Sequence, residues 1–194
     1  MVDTSQHVEF FSHARIVIGM IIGLGITRTL LTFANIMQHP HVYNRSVLHL
    51  LWLSSMLIEL TLFWYGHFDL IEIADWPFGL FMFFNSYAIV LFLLVALLSP
   101  DRSEEYAGYE GFFIKRRHWF FGLLALTMVL DIFDSFFMYQ QERIDLYDLV
   151  PALFFLPLCV MGWYIPKKHV QYAIVTAHCT YLVVMIGLFS FEII

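Results

Sequence analysis

Five ionisable side chains stand where a lipid-facing sequence should carry none. Arg28, Glu59, Asp131, Asp134 and His178 each fall inside an otherwise apolar stretch. An Arg or Asp at the centre of a bilayer costs around 2.5–3.5 kcal/mol even on the gentler insertion scale. Such groups are expected to face other helices or water and to find partners there. The chemistry open to them is narrow. Carboxylates can bind a cation or hold a proton, an imidazole can relay one at physiological pH, and an arginine can keep a carboxylate ionised or bind an anionic group.

Their depths coincide. With a rise of about 1.5 Å per residue, Arg28 and His178 lie roughly 12–14 Å from one face of the bilayer. Glu59 and Asp131 lie roughly 18–20 Å from the same face, and Asp134 sits one turn further. Asn85 runs in the opposite sense and reaches nearly the same level. Polar neighbours at helical spacing accompany them: Gly25, Thr32 and Asn35 with Arg28; Ser55 and Gly66 with Glu59; Thr127 and Ser135 with the two aspartates; Gln171 and Tyr181 with His178. Five helices are thus expected to bring polar groups to one midplane cavity. There, one arginine faces three carboxylates, and the excess negative charge calls for bound protons or a cation. The alternative is scaffolding, in which Arg28 and Glu59 form a buried ion pair that fixes helix register.

The elements that must position these groups follow from composition. The chain has 194 residues, 60% hydrophobic, 19% aromatic and only 13% charged. A water-soluble domain carries roughly 25% charged residues. Sixteen acids against ten bases argue against a nucleic-acid partner, which needs a basic face. About 20 apolar residues cross the hydrocarbon core, and six segments qualify: 15–37, 47–66, 77–99, 118–139, 147–165 and 170–192. Runs such as Tyr87 to Leu98 lack the alternation of barrel strands. The expected fold is therefore all-α: a single transmembrane domain over 1–194, built as a six-helix integral membrane bundle with the lipid bilayer as its partner.

Proline marks the breaks. Pro40 and Pro100 follow helices 1 and 3, Pro77 opens helix 3, Pro166 stops helix 5, and Pro157 is expected to kink helix 5. Arg45, Arg102, Lys115, Arg116, Arg117, Lys167 and Lys168 fall on one side, and only Arg15 and Arg143 on the other. The positive-inside bias then places both termini on the non-cytoplasmic side of a cell membrane, taken here as a bacterial inner membrane. Trp52, Trp64, Trp76, Trp119 and Trp163 lie near helix ends, as interfacial aromatics do. Asp3 and Glu9, followed by a long apolar run, do not resemble a removable signal peptide.

The remaining patterns are less specific. His49, His118 and His169 lie at the basic ends of helices 2, 4 and 6, where two imidazoles could ligate a haem iron or a transition metal. No H-E-x-x-H or C-x-x-C-H motif supports that. Cys159 and Cys179 sit inside helices and read as small hydrophobes rather than a zinc or disulfide framework. Gly19 and Gly23 form a G-x-x-x-G surface suited to close helix approach, either within the chain or in a homo-oligomer. No phosphate loop, nucleophile elbow or paired catalytic motif is present, so an enzyme is not the expected class, and no cofactor follows from the residues. The leading expectation is a proton- or cation-linked transporter or channel. A non-transporting scaffold, sensor or complex subunit comes second, and a haem-binding redox protein third.

Overall fold

In a computed structural model the chain is a bundle of six helices, with the backbone described for residues 4–38, 46–66, 77–99, 109–138 and 146–192. They are α1 (Thr4–Gln38), α2 (Val47–Gly66), α3 (Phe78–Leu98), α4 (Tyr109–Met138), α5 (Leu146–Tyr164) and α6 (Lys168–Glu192). No strand occurs among the described residues. Five of the helices, all except α5, are long and apolar enough to cross a membrane. The nineteen residues of α5 rise about 28 Å at helical pitch, close to the thickness of a hydrocarbon core.

Two helices begin more than two turns earlier than expected. α1 starts at Thr4 rather than near residue 15, and α4 at Tyr109 rather than 118. The apolar window shows where lipid begins. The helix itself continues outward for as long as no proline or turn interrupts its i to i−4 bonds. Lys115, Arg116 and Arg117 therefore belong to the first turns of α4, not to a loop. Pro77 is the N-cap of α3, in extended conformation, and Pro166 follows the end of α5. α5 runs on as helix through Pro151 and Pro157. Pro40, Pro100, Trp76, Arg45, Arg102 and Arg143 lie outside the described residues.

Side-chain contacts fix an up-and-down arrangement. Gly19 meets Trp64 and Gly25 meets Leu60, so α1 and α2 are antiparallel. Phe63 packs on Tyr87 and His49 reaches Leu98, which sets α3 antiparallel to α2. Phe83 on Phe137 with Tyr87 on Asp131 does the same for α3 and α4, and Phe155 on His178 with Gln171 on Gly162 for α5 and α6. α2 sits at the centre, packed against α1, α3, α4 and α6. One end of the bundle carries Lys115, Arg116, Arg117, Lys167 and Lys168, and is called the basic end below.

Lipid tails are as apolar as leucine, so the bundle is held by packing rather than by expulsion of water. Trp52 shows how tight that packing is. Instead of lying at an interface, as its sequence position suggested, it is fully buried among Phe113, Phe120 and Phe121. Trp119, by contrast, is 67% exposed and fits the interfacial role. The G-x-x-x-G pair divides: a Cβ on Gly19 would strike the Trp64 ring at 2.8 Å, whereas one on Gly23 would meet nothing within 4 Å.

Candidate functional site

Four helices bring polar side chains to the middle of the bundle. Glu59 comes from α2, Tyr87 and Asn85 from α3, Asp131 and Asp134 from α4, and His178 and Tyr181 from α6. The Tyr87 hydroxyl donates to Asp131 Oδ1. Glu59 and Asp131 act on each other as like charges, and Tyr87 and Tyr181 lie in the field of both. The field of Asp134 also reaches Tyr87. His178 Nε2 stands 3.8 Å from Glu59 Oε2, beyond hydrogen-bond length. Neither ring nitrogen of His178 makes a hydrogen bond, and neither does Glu59 Oε2 or Asn85 Oδ1.

Each of these positions has a local cause. Asp131 and Asp134, three residues apart, share one face of α4 with Thr127, which is buried with its hydroxyl on Leu124 O. Ser55, one turn below Glu59, is buried and donates back to Trp52 O, so its polarity is satisfied inside α2. His178 is held between the Trp52 and Phe155 rings, at centroid distances of 5.5 and 5.4 Å. Such packing locks the imidazole without offering it a polar partner.

Arg28 differs from the expectation that it faces the carboxylates. Its guanidinium donates to Ser99 O at 2.8 Å, at the end of α3. The last carbonyls of a helix have no partner within it and carry the negative end of its dipole, so a cation there satisfies both. A long basic side chain can leave its own depth to reach such a site. The stripe drawn around Arg28 also splits, since Gly25 and Thr32 are buried while Asn35 is exposed.

His49 caps the same helix end. It is buried, its Nε2 lies 2.6 Å from Leu98 O, and its ring stacks on Tyr109 at 4.5 Å. Ser46 caps the start of α2 by accepting from His49 N, and donates to Glu110, which pairs with Lys168 at 2.6 Å. Gln171 serves α5 similarly, its amide donating to Gly162 O and Ile165 O, while Arg117 donates to Trp163 O. The three histidines weighed as metal or haem ligands are not drawn to one point. His49 is committed to α3, His118 packs edge-on to Trp163, and His169 is exposed. Among the described residues, no group of three or more His, Cys, Asp or Glu is arranged to hold a metal ion. Cys159 and Cys179 are free thiols.

Of the residues named by sequence reasoning, Glu59, Asp131, Asp134 and His178 are linked with one another through α2, α4, α6 and Tyr87 of α3, while Asn85 lies in α3 with its Oδ1 buried and makes no contact to them that the structure shows. Sequence reasoning missed Tyr87. The available signal was a phenol near the middle of a span, when tyrosine ordinarily sits at the membrane interface. No family model matches this chain, and no curated protein or solved structure matches it either.

Proposed function

We propose that this protein is a proton-linked membrane transport protein whose working groups are Glu59, Asp131, Tyr87 and His178, with Asp134 and Asn85 beside them. The observation that carries the reading is Glu59. Its carboxylate lies inside a membrane-length helix within the field of a second carboxylate, that of Asp131, with an unbonded imidazole 3.8 Å away. One carboxylate oxygen is left without a hydrogen bond, and like charges that act on each other favour one shared proton over two bare anions. Tyr87 holds Asp131, and His178 offers a second base within reach. In this proposal Glu59 and Asp131 exchange protonated and ionised states, and a proton or another small cation balances the excess charge.

The basic end is assigned to the cytoplasm by the positive-inside rule. Both termini then lie outside the cell membrane, and the open Gly23 face of α1 is available for a homo-oligomer. The test uses proteoliposomes with a trapped pH-sensitive dye and a potassium diffusion potential imposed by valinomycin. Wild-type protein should drive proton uptake, and Glu59→Gln or Asp131→Asn should abolish it. Uptake at the wild-type rate in both variants discards the assignment.

A second reading, a non-transporting scaffold or complex subunit, is favoured by the capping roles of Arg28, His49 and Gln171, which are structural. It expects wild-type vesicles to take up protons no faster than empty ones. It also expects the double variant Arg28→Leu, Glu59→Leu to fold and assemble normally.

A further inference from the structure

Three interior side chains carry polar atoms that have complementary chemistry and do not meet. Trp52 and His178 are fully buried, and the Glu59 side chain is 16% exposed. Trp52 Nε1, both ring nitrogens of His178 and Glu59 Oε2 are buried without a hydrogen-bond partner. The Trp52 and His178 rings are 5.5 Å apart, and His178 Nε2 lies 3.8 Å from Glu59 Oε2. An indole N–H only donates, an ionised carboxylate only accepts, and a neutral imidazole does one of each. Buried polar atoms are bonded to protein or to ordered water as a rule, and an internal water makes about three such bonds. A separation of 3.8 Å is too long for a direct N–H to O bond, but suits two atoms bound to one water lying off the line between them.

We propose that Glu59 and His178, with the Trp52 indole beside them, hold an internal water molecule that joins the two titratable groups. The water makes a proton path with a closed balance. Protonated Glu59 gives its proton to the water oxygen as the water gives one of its own to His178 Nε2. Glu59 ends ionised, His178 ends protonated and the water is regenerated. The surrounding walls decide how that water is reached. Phe113, Phe120 and Phe121 close around Trp52 and Phe155 lies against His178, and all four are buried. These rings offer water no hydrogen bond. Asp131, which acts on Glu59 and is only half-buried, marks the polar side by which it enters.

The site does not depend on the transport reading, since a scaffold could hold the same water. The test is radiolytic hydroxyl labelling of the full-length protein in nanodiscs, in H₂¹⁸O buffer, read by peptide mass spectrometry. Water beside His178 and Trp52 should oxidise them despite their burial, at a dose that leaves the equally buried Cys159 thiol unmodified. Glu59→Leu, which removes a water ligand, should lower labelling of His178 several-fold, and Glu59→Gln, which keeps one, should not. His178 and Trp52 both unlabelled in wild-type protein would overturn the proposal, as would equal His178 labelling in the Leu variant. Labelling in a protein that moves no protons would leave the water site standing and remove the transport reading. Proton uptake without labelling would do the reverse.

Discussion

At the basic end of the bundle, polar side chains from α1, α2, α4 and α6 spend their hydrogen bonds on the ends of helices. Arg28 and His49 serve α3, Gln171 and Arg117 serve α5, and Glu110 ties Ser46 to Lys168. At the middle of the same bundle neither ring nitrogen of His178 nor Glu59 Oε2 makes a hydrogen bond, and the two groups stand 3.8 Å apart. Buried polar atoms without a hydrogen bond occur in both regions, among them His49 Nδ1 and Gln171 Oε1 at the basic end; but His49 and Gln171 each spend another atom on a helix carbonyl, whereas neither ring nitrogen of His178 does. Polarity inside a membrane bundle is therefore not one signal. Groups that satisfy stranded carbonyls should be measured as stability, and groups left unsatisfied should be measured as activity.

The largest effect should come from the clamp between α4 and α5 near the basic end. A Cβ on Gly162 would run into the Phe121 ring, which is fully buried and has nowhere to go. Gly162→Ala should therefore cost about 3 kcal/mol, the upper end of the usual overpacking range, seen as a collapse of the monodisperse peak in detergent. Gly23→Ala, with open space around the new methyl, is the matched control and should run as wild type. Equal behaviour of the two would mean that the helices at this end are not held closely.

Next come the caps. His49→Ala removes the contact with Leu98 O and the stack on Tyr109, and opens a cavity in a fully packed site, for a loss of about 2–3 kcal/mol. Arg28→Leu leaves Ser99 O without its charged donor and should cost about 1.5–2 kcal/mol. Thermal melting followed by size exclusion would measure both. Proton uptake by the protein that remains folded should be close to wild type in each case. Lost uptake with unchanged melting in Arg28→Leu would erase the distinction between the two regions, and would return Arg28 to the acids.

The difference between the regions also explains how much could be read in advance. All six helices were legible because apolar windows of membrane length leave few alternatives, and α2 was found residue for residue. The starts of α1 and α4 were not, since nothing in an apolar window records how far a helix continues into water. Glu59, Asp131 and His178 stand out in the sequence because charge is rare at midspan. The partner of Arg28 does not, because depth along a helix axis ignores a side chain long enough to reach a neighbouring helix end. Trp52 misled for a related reason: its distance from the helix end resembles that of an interfacial indole, but α2 is central and has little lipid to face. Tyr87 was hidden among apolar neighbours, although its hydroxyl is what binds Asp131.

A smaller effect belongs to Tyr87→Phe, which keeps the ring against Phe63 and removes the hydroxyl from Asp131. The expected cost is about 1 kcal/mol in melting. In proteoliposomes the pH at which uptake is half-maximal should move, because Asp131 loses a donor that stabilises its ionised form. A variant that melts lower with an unmoved pH profile would assign Tyr87 to packing alone.

The smallest change in stability should come from Glu59→Gln, and it is the sharpest test of the comparison. The amide has the shape of the acid, carries no charge to repel Asp131, and can donate to a water shared with His178 Nε2. Replacing the carboxylate thus removes an unfavourable like-charge contact and supplies a donor the native residue lacks when ionised. Melting should be unchanged or higher, by roughly 0–1 kcal/mol. Proton uptake should nevertheless be lost, since an amide has no proton to exchange at accessible pH. That pairing, stability kept while activity disappears, is the opposite of what His49→Ala should give. A Gln variant that melts as low as the cap variants would show instead that Glu59 holds the helices, and the midplane cluster would then be one more structural contact.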